Sequence, residues 1–337
     1  MQRFEYREGR QSLKGLPDRA ALSHLDKPTV IRIPGRDATD AVLVSALIHG
    51  TEPAGFRAML HEINSPTRYA IDVYYLVGNV EAAKKAPYYS NRSVPGAQDF
   101  NRVWTRTPKT ELEQTAAEIA AFLSTLPLRA CLDIHSFTAR HMGPHGIISG
   151  TDQKTIALAR KLATKTFVSD AGLGTLIERV GQTMPSVILE VGPNNTNEAD
   201  IYALRVLQVF FRACGVYPGE LPDVCTRWYN KMMPVKVAPD VELIAEDRRG
   251  LRSSWLRLRH DIEQLNHVQL HPGMYLGKAA SLDAFFTTDP RGRSIEDFLE
   301  CRGGRILTRK AVVPSFLSKD EKIMKSCGFY FFEEFTP

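Results

Sequence analysis

The alternation of short apolar runs with longer amphipathic segments constrains the fold of this chain more than any other feature. Apolar runs of about four to eight residues are typical of buried strands, and apolar residues that repeat every three to four positions are typical of helices. Strands that alternate with helices build a sheet that is largely parallel in its centre and covered by helices. The predicted strands are residues 41–48, 70–79, 130–135 and 186–192, and the predicted helices are residues 53–63, 111–126, 152–167 and 197–215.

The pattern of the sequence changes after residue 218. Short segments follow, several of them alternating apolar and polar residues, and proline, glycine and aspartate separate them. Such spacing predicts short strands and turns rather than helices. We therefore predict two domains, an α/β catalytic domain over residues 1–218 and a smaller β-rich domain over residues 219–337. The last helix of the first domain is predicted to be capped by Asn197 and to end before Gly215.

Composition and charge narrow the class of protein. The formal net charge of +5 is spread along the chain without a basic block, which argues against a nucleic-acid partner and is compatible with a small anionic substrate. No apolar run reaches the length of about 18 residues that indicates a membrane span, and residues 1–15 lack the apolar core of a secretory signal. Five cysteines without a Cys-x-x-Cys pair are typical of reduced thiols. We expect a cytoplasmic protein, and the sequence leaves its oligomeric state open.

Side chains that can bind a metal or transfer a proton lie at the ends of three predicted strands. His49 and Glu52 follow the first strand in IHGTE, and His135 ends the third strand in LDIHS. Glu190 lies in ILEVG, near the end of the fourth strand. Functional groups in open α/β sheets collect beyond the carboxyl ends of the strands. Two histidines and one carboxylate can form a zinc site that leaves a position open for water, and a second carboxylate nearby can serve as general base.

Each of these residues also has a purely structural interpretation. A single histidine at a strand end more often forms a hydrogen bond in a loop, and Glu52 alone could be a first-turn charge favoured by the helix dipole. Glu190 is harder to explain in this way, because an unpaired carboxylate in an apolar strand is costly. The combination of all four groups favours a metal site. Asp133 shares a strand face with His135, where it could orient a ligand histidine or bind a backbone amide.

Four short motifs occur in a characteristic order, namely HGTE, DFNR, DIHS and LEVG. In this order they resemble the succinylglutamate desuccinylase/aspartoacylase family, which belongs to the zinc carboxypeptidase-like superfamily. The resemblance runs over roughly residues 40–215. It implies a zinc-carboxypeptidase-like mixed sheet flanked by helices, with a smaller β-rich C-terminal domain. It also implies one Zn²⁺ per chain, bound by His49, Glu52 and His135, with Glu190 as the general base.

The resemblance further implies an arginine-rich anion site. Asn101 and Arg102 in DFNR would hold the carboxylate of the substrate, and a bidentate guanidinium suits a carboxylate better than lysine does. Arg92 is the nearest counterpart of the arginine that polarises the scissile carbonyl, although its spacing to Asn101 is longer than in aspartoacylase. Arg179 is a candidate for a further carboxylate-binding arginine. The alternative for all three arginines is solvated surface charge.

These inferences together predict a zinc-dependent amidohydrolase that cleaves the amide bond of an N-acyl amino acid or a similar small carboxylate. One alternative is a zinc carboxypeptidase that acts on peptides. Another is a catalytically inactive metal-binding or regulatory homologue, which Glu190 argues against because a protein that only holds a metal has no use for that carboxylate. The sequence does not identify the acyl group or the amino acid.

Overall fold

The structure of the chain is a computed structural model that describes residues 2–139, 141–244 and 254–337. The chain divides into two compact units. Unit 1 comprises residues 1–138, 144–166 and 172–226, and unit 2 comprises residues 139–143, 167–171 and 227–337. The predicted domain boundary after residue 218 stays a prediction, because compactness by itself does not show that each part folds alone.

Unit 1 contains the four strands and four helices that the sequence pattern predicts, in the predicted order, together with four further strands and three further helices. One strand, residues 165–168, begins in unit 1 and ends in unit 2, because the division between the units falls after Thr166. The strands are β1 (Glu5–Glu8), β2 (Thr29–Ile33), β3 (Asp37–Ala46), β4 (Ile71–Val77), β5 (Leu128–Phe137), β6 (His145–Ile148), β7 (Lys165–Val168) and β8 (Ser186–Pro193). The helices are α1 (Asp18–Ser23), α2 (Ala54–Asn64), α3 (Val80–Lys84), α4 (Glu111–Ser124), α5 (Gln153–Leu162), α6 (Leu176–Val180) and α7 (Asn197–Ala213).

The sheet of unit 1 has its parallel strands in the centre. Seven strands follow the order β1-β2-β4-β3-β5-β8-β6, and β4, β3, β5 and β8 are mutually parallel neighbours. Every residue of β4 is buried, as expected for a strand whose two faces are both covered. The predicted α/β architecture is confirmed. Because the carboxyl ends of β3, β5 and β8 lie side by side, the residues that follow these strands lie close together.

Two local predictions differ from the structure. The predicted helix 152–167 ends at Leu162, where Ala163 takes an extended conformation, and the β-branched residues that follow lie in β7. The N-terminal cap of α7 is Thr196 rather than Asn197, because Thr196 is extended and its hydroxyl accepts a hydrogen bond from the Ala199 amide at 3.2 Å.

Unit 2 is rich in short strands, which confirms the predicted β-rich C-terminal part. Its elements are β9 (Arg227–Val237), β10 (Glu242–Leu243), β11 (Trp255–Leu258), β12 (Tyr275–Ala279), β13 (Phe285–Thr287), β14 (Leu299–Arg302), β15 (Arg305–Thr308), β16 (Val313–Ser315), α8 (Glu321–Ser326) and β17 (Phe329–Phe335). One group of strands follows the order β9-β17-β16 with β13 paired to β9, and a separate five-stranded sheet has the order β10-β11-β12-β15-β14.

In the described part of the chain, none of the helices has the length and apolar character that a membrane span needs.

Candidate active site

Three of the predicted site residues meet at the carboxyl ends of β3 and β5. His49 and Glu52 lie in the turn between β3 and α2, and His135 lies near the end of β5. One nitrogen or oxygen atom from each side chain lies within 4.8 Å of the other two, and all three residues are buried. Glu52 bridges the rings, with Oε1 at 2.9 Å from His49 Nδ1 and Oε2 at 2.9 Å from His135 Nδ1. We call these three residues the His-Glu-His group.

A carboxylate holds the outer nitrogen of each ring. His49 Nε2 lies 3.0 Å from Asp99 Oδ1, and His135 Nε2 lies 2.9 Å from Asp133 Oδ2. The Ser45 hydroxyl donates a 2.6 Å hydrogen bond to the other oxygen of Asp133. Because a carboxylate accepts hydrogen bonds, Asp99 and Asp133 favour a proton on each Nε2, so that Nδ1 of each ring is the nitrogen available to a cation in the group once it has lost its own proton.

This donor set fits a bound divalent metal ion. His49 Nδ1 and His135 Nδ1 lie 3.2 Å apart, with the Glu52 carboxylate beside both. Two inward lone pairs at that distance repel each other unless a proton or a cation lies between them. Two imidazole nitrogens and one carboxylate oxygen are ligands that suit such an ion, and they leave further coordination positions open. The group therefore has the composition of a hydrolytic metal site.

The charges around the group keep its carboxylates ionised. Burial opposes the ionisation of Glu52, but the neighbouring His49 and His135 rings outweigh it and hold the pKa of Glu52 below its ordinary range. Burial opposes the ionisation of Asp99 in the same way, and the contact with His49 and the charge of Arg92 lower its pKa despite that. Burial disfavours the charged form of His135, yet Asp133 and Glu52 raise its pKa well above the ordinary value. Carboxylates that remain ionised are ready to bind and orient metal ligands.

Glu190 lies on β8 directly opposite His135 on β5 in the register of the parallel pair. It is buried, and among the residues described its Oε2 atom has no hydrogen-bond partner. Burial raises the pKa of Glu190 to about 8; the His135 ring acts in the opposite direction without offsetting burial, and the negative charge of Glu52 adds to it. A cation in the His-Glu-His group would lower this pKa again. A carboxyl group in this situation can accept and release a proton near neutral pH. His145 on β6 occupies the opposite register position on the other side of Glu190.

Arg92 lies beside the His-Glu-His group. Its Nε and Nη2 atoms donate to Asp99 Oδ2 at 3.1 and 3.0 Å, and its Nη1 lies 3.4 Å from Glu52 Oε1. The side chain is 39 % exposed, so part of the guanidinium is accessible to a ligand. Asp99 therefore contacts both His49 and Arg92. In the sequence, Asp99 is recognisable only as the first residue of the DFNR motif. Its contacts with both His49 and Arg92 were not predicted.

Asn101 and Arg102 form a 3₁₀ turn, Phe100–Arg102, that is tied to the start of α6. Asn101 Oδ1 accepts a hydrogen bond from the Leu176 amide at 3.0 Å, and Arg102 Nη1 donates to the Asn101 carbonyl at 2.8 Å. The two segments approach so closely that a Cβ on Gly174 would lie 2.6 Å from the Arg102 carbonyl oxygen, and Gly174 has φ +82°. Glycine is required there on both counts.

Arg179 lies on the same short helix whose first turn binds Asn101. It is exposed, and among residues 2–139, 141–244 and 254–337 it forms no ion pair. The position of α6 relative to the 3₁₀ turn places Arg179 on an element adjacent to Arg102. Its role as a substrate-binding residue stays a prediction.

A buried group of two histidines and one carboxylate at the ends of parallel strands, with a further buried carboxyl beside it, is typical of metal-dependent hydrolases. The particular family follows from the sequence match. Residues 38–208, from β3 into α7, match the family described as Succinylglutamate desuccinylase/Aspartoacylase catalytic domain. The chain belongs to this family. The matched range includes every site residue that the sequence analysis predicts.

Solved structures with the same fold come from bacteria and from the mouse. The succinylglutamate desuccinylase/aspartoacylase from Rhodobacter sphaeroides has a TM-score of 0.62 at 15% identity, covering 92% of this chain and 90% of its own. A mutant form of murine aminoacylase 3 has a TM-score of 0.58 at 16% identity, and the match covers 89% of this chain and 96% of the murine chain. The ectoine utilization protein EutE from Ruegeria pomeroyi has a TM-score of 0.56 at 16% identity, and the match covers 84% of this chain and 82% of the EutE chain. A search of the curated proteins found no match. At these identities the likeness shows the fold.

Proposed function

We propose that this protein is a zinc-dependent amidohydrolase that cleaves the amide bond of an N-acyl amino acid or a similar small carboxylate. The observation that carries the proposal is the buried Glu190 carboxyl beside the His-Glu-His group, within a chain of the desuccinylase/aspartoacylase family. A protein that only stored or sensed a metal would gain nothing from a buried carboxyl group with an oxygen that has no hydrogen-bond partner in the described part of the chain.

One zinc ion per chain would be held by His49, Glu52 and His135. When bound, zinc lowers the pKa of a water molecule and polarises a carbonyl group. Glu190 takes the proton from the attacking water at its carboxylate and later gives it to the nitrogen of the leaving amine. Arg92 donates hydrogen bonds to the negative oxygen that develops on the substrate carbonyl. The products are a carboxylic acid and a free amino acid.

Asp99 and Asp133 act on the reaction through the rings that they hold. Each accepts the Nε2 proton of one histidine and so fixes the tautomer and the orientation of that ring. Asp99 also binds Arg92, which couples the position of the oxyanion donor to that of a metal ligand. The reacting groups are thereby aligned before substrate binds.

The substrate carboxylate would be bound beside this centre by Asn101 and Arg102. The Asn101 side-chain carbonyl is occupied by the Leu176 amide, which leaves its NH₂ group as a donor in a fixed orientation. Arg102 supplies a planar guanidinium, and Arg179 is the further candidate on the adjacent helix. Donors of this kind select a small anionic substrate.

Metal content and a substrate panel test the proposal together. Protein purified without chelator should contain about one zinc per chain, and removal of the zinc should abolish hydrolysis that added zinc restores. N-acetyl, N-succinyl and other N-acyl amino acids should be hydrolysed faster than peptides with a free carboxyl terminus. Faster cleavage of the peptides would instead establish a carboxypeptidase. Stoichiometric zinc without hydrolysis of either class would establish an inactive metal-binding homologue.

The Arg102→Lys variant tests how the carboxylate is recognised. Lysine keeps the charge but loses the two-pronged hydrogen bonding, so kcat/KM for an N-acyl amino acid should fall roughly 30- to 1000-fold. The same substrate with its carboxylate converted to a neutral amide should be used poorly by the wild type, and the variant should discriminate much less between acid and amide.

Arg106→Lys is the matched control for that variant. Arg106 lies on the same segment, is 52% exposed and has a long ion-pair contact of 4.0 Å with Glu113. The Arg106→Lys variant should keep the wild-type kcat/KM and the wild-type preference for the acid over the amide. Equal turnover of acid and amide by the wild-type protein would show that the arginines are structural and would remove the basis for an N-acyl amino acid substrate.

A further inference from the structure

A row of cationic side chains crosses the five-stranded sheet of unit 2. Arg257 on β11 lies opposite Lys278 on β12, and Lys278 lies opposite Arg305 on β15. Arg305 in turn lies opposite Arg302 on β14. Residues directly opposite each other in antiparallel strands project from the same face, with Cβ atoms about 5 Å apart. The four residues thus form a line across four strands, which we call the basic row.

The hairpin turn between β14 and β15 fixes one end of the row. Gly303 and Gly304 have φ of +56° and +74°, the left-handed conformation that a two-residue hairpin of this type requires at both positions. Arg302 and Arg305 flank this turn and therefore face each other directly. Ile306, which points to the opposite face, is fully buried. The row consequently lies on the outer face of the sheet.

No residue that the structure describes neutralises the two cations in the middle of the row. Lys278 and Arg305 are exposed, and in the described part of the chain neither forms an ion pair. Arg302 has one carboxylate partner, Glu300 on its own strand, at 3.1 Å. Like charges placed directly opposite each other destabilise an antiparallel pair. The repulsion between Lys278 and Arg305 therefore opposes the pairing of β12 with β15 unless an external anion lies beside them.

Two aromatic rings accompany the cations. The guanidinium carbon of Arg257 lies 5.8 Å from the centroid of the Trp255 ring, and that of Arg305 lies 5.1 Å from the centroid of the Tyr275 ring. Both rings are half-buried, and with Lys278 and Arg305 they line a surface cavity of about 700 Å³. Guanidinium groups and aromatic rings both offer flat faces on which a nucleobase can stack.

The basic row is only one residue wide. The next register positions on the same face hold Glu300 opposite Leu307, and Leu307 opposite Tyr275. A broad anionic surface such as a membrane favours a broad basic patch, whereas a linear polyanion fits a line of cations. The flat groups beside the line favour bases over carboxylates. We propose that the basic row binds single-stranded nucleic acid, with phosphates along the row and bases on Trp255 and Tyr275.

Nucleic-acid binding at the basic row differs from the sequence-based expectation of no nucleic-acid partner. That expectation rests on the lack of a contiguous basic block, and the members of the row are indeed separated in the sequence. Strand register brings them together, so the electrostatic footprint exists only in the folded chain.

Binding of a fluorescently labelled, mixed-sequence single-stranded oligonucleotide to the full chain tests the proposal. At about 50 mM salt we expect a Kd in the micromolar range that weakens as salt increases. The double variant Lys278→Ala/Arg305→Ala should bind about tenfold more weakly or worse. Its salt dependence should be smaller by about 1.4 in the slope of log K against log salt, because each phosphate contact on a single strand contributes about 0.7. Trp255→Leu should weaken binding and leave that slope unchanged.

The control double variant is Lys319→Ala/Lys322→Ala, which removes two exposed lysines of unit 2 outside the row. It should bind like the wild type. The variant in the row should also unfold at the same or a higher temperature, because it removes like-charge repulsion. No binding at about 100 μM protein, equal weakening by both double variants, or equal competition by polyglutamate or by anionic vesicles of matched charge would each overturn the proposal.

Discussion

Replacement of Glu190 by glutamine is expected to lower kcat by about two to four powers of ten and to leave one zinc bound per chain. Glutamine has nearly the same shape but cannot accept the proton from the attacking water. The His-Glu-His group keeps all of its donor atoms in this variant. Steady-state kinetics and metal analysis on the same preparation measure the two effects.

The matched control for this variant is Glu62→Gln. Glu62 is also a buried glutamate of unit 1, but it binds Tyr217 and Gln208 away from the metal group. Its replacement should leave kcat per folded molecule unchanged. Loss of zinc from Glu190→Gln would make Glu190 a ligand rather than the base, and full activity would place the base elsewhere.

The Glu190→Gln substitution is also expected to change the stability of the protein, independently of its activity. In the metal-free protein burial raises the pKa of Glu190 to about 8, so the folded state holds its proton more tightly than the unfolded state does. The contribution of this group to stability therefore decreases as pH rises from the ordinary carboxyl range to above 8. Glutamine does not titrate, so metal-free Glu190→Gln should gain stability relative to metal-free wild type over that range. Thermal unfolding across pH measures the difference.

Replacement of His49 by alanine is expected to reduce zinc to trace levels and to lower kcat/KM roughly a thousandfold or more. The variant removes one of the three proposed ligand atoms and also the contact between His49 and Asp99. Without the His49 ring, the buried Glu52 and the Asp99 carboxylate each lose a partner. The variant should therefore also be less stable in the absence of metal.

His61→Ala provides the matched control for the loss of a histidine. The His61 ring is 58% exposed on α2, and its contact with Glu62 is long at 3.9 Å. Zinc content and kcat/KM should remain at the wild-type level. If His49→Ala retained stoichiometric zinc and activity, the His-Glu-His group would not be the catalytic metal site, and the proposed function would fail with it.

The groups at the strand ends were predictable because their signals are local. A buried strand reads as an apolar run, and a polar residue immediately beyond it in an α/β pattern lies at the edge of the sheet where sites form. His49, Glu52 and His135 could be selected in this way from short stretches of sequence. Asp133 could also be selected, since its separation from His135 puts both side chains on one strand face, and the 2.9 Å contact agrees with that expectation.

Contacts between distant segments were not predictable in the same way. Asp99 reaches His49 across fifty positions, and nothing in the residues around Asp99 specifies that ring as its partner. Asn101 binds the start of α6 through Leu176, which lies 75 positions further along the chain. The end of α5 was misplaced because a helical periodicity continues a few residues beyond the point where β-branched residues turn the chain into β7.

The sequence by itself determined the order of the four predicted strands and four predicted helices and the chemical groups that stand at the strand ends, since periodicity and turn residues act over a few positions. Only the tertiary structure decided which strands are neighbours and in what register, because pairing depends on the burial of whole faces rather than on adjacent residues. Register places Glu190 opposite His135 in unit 1. Register also places Lys278 between Arg257 and Arg305 in unit 2. In each unit, groups far apart in the chain become one chemical surface only through the pairing of strands.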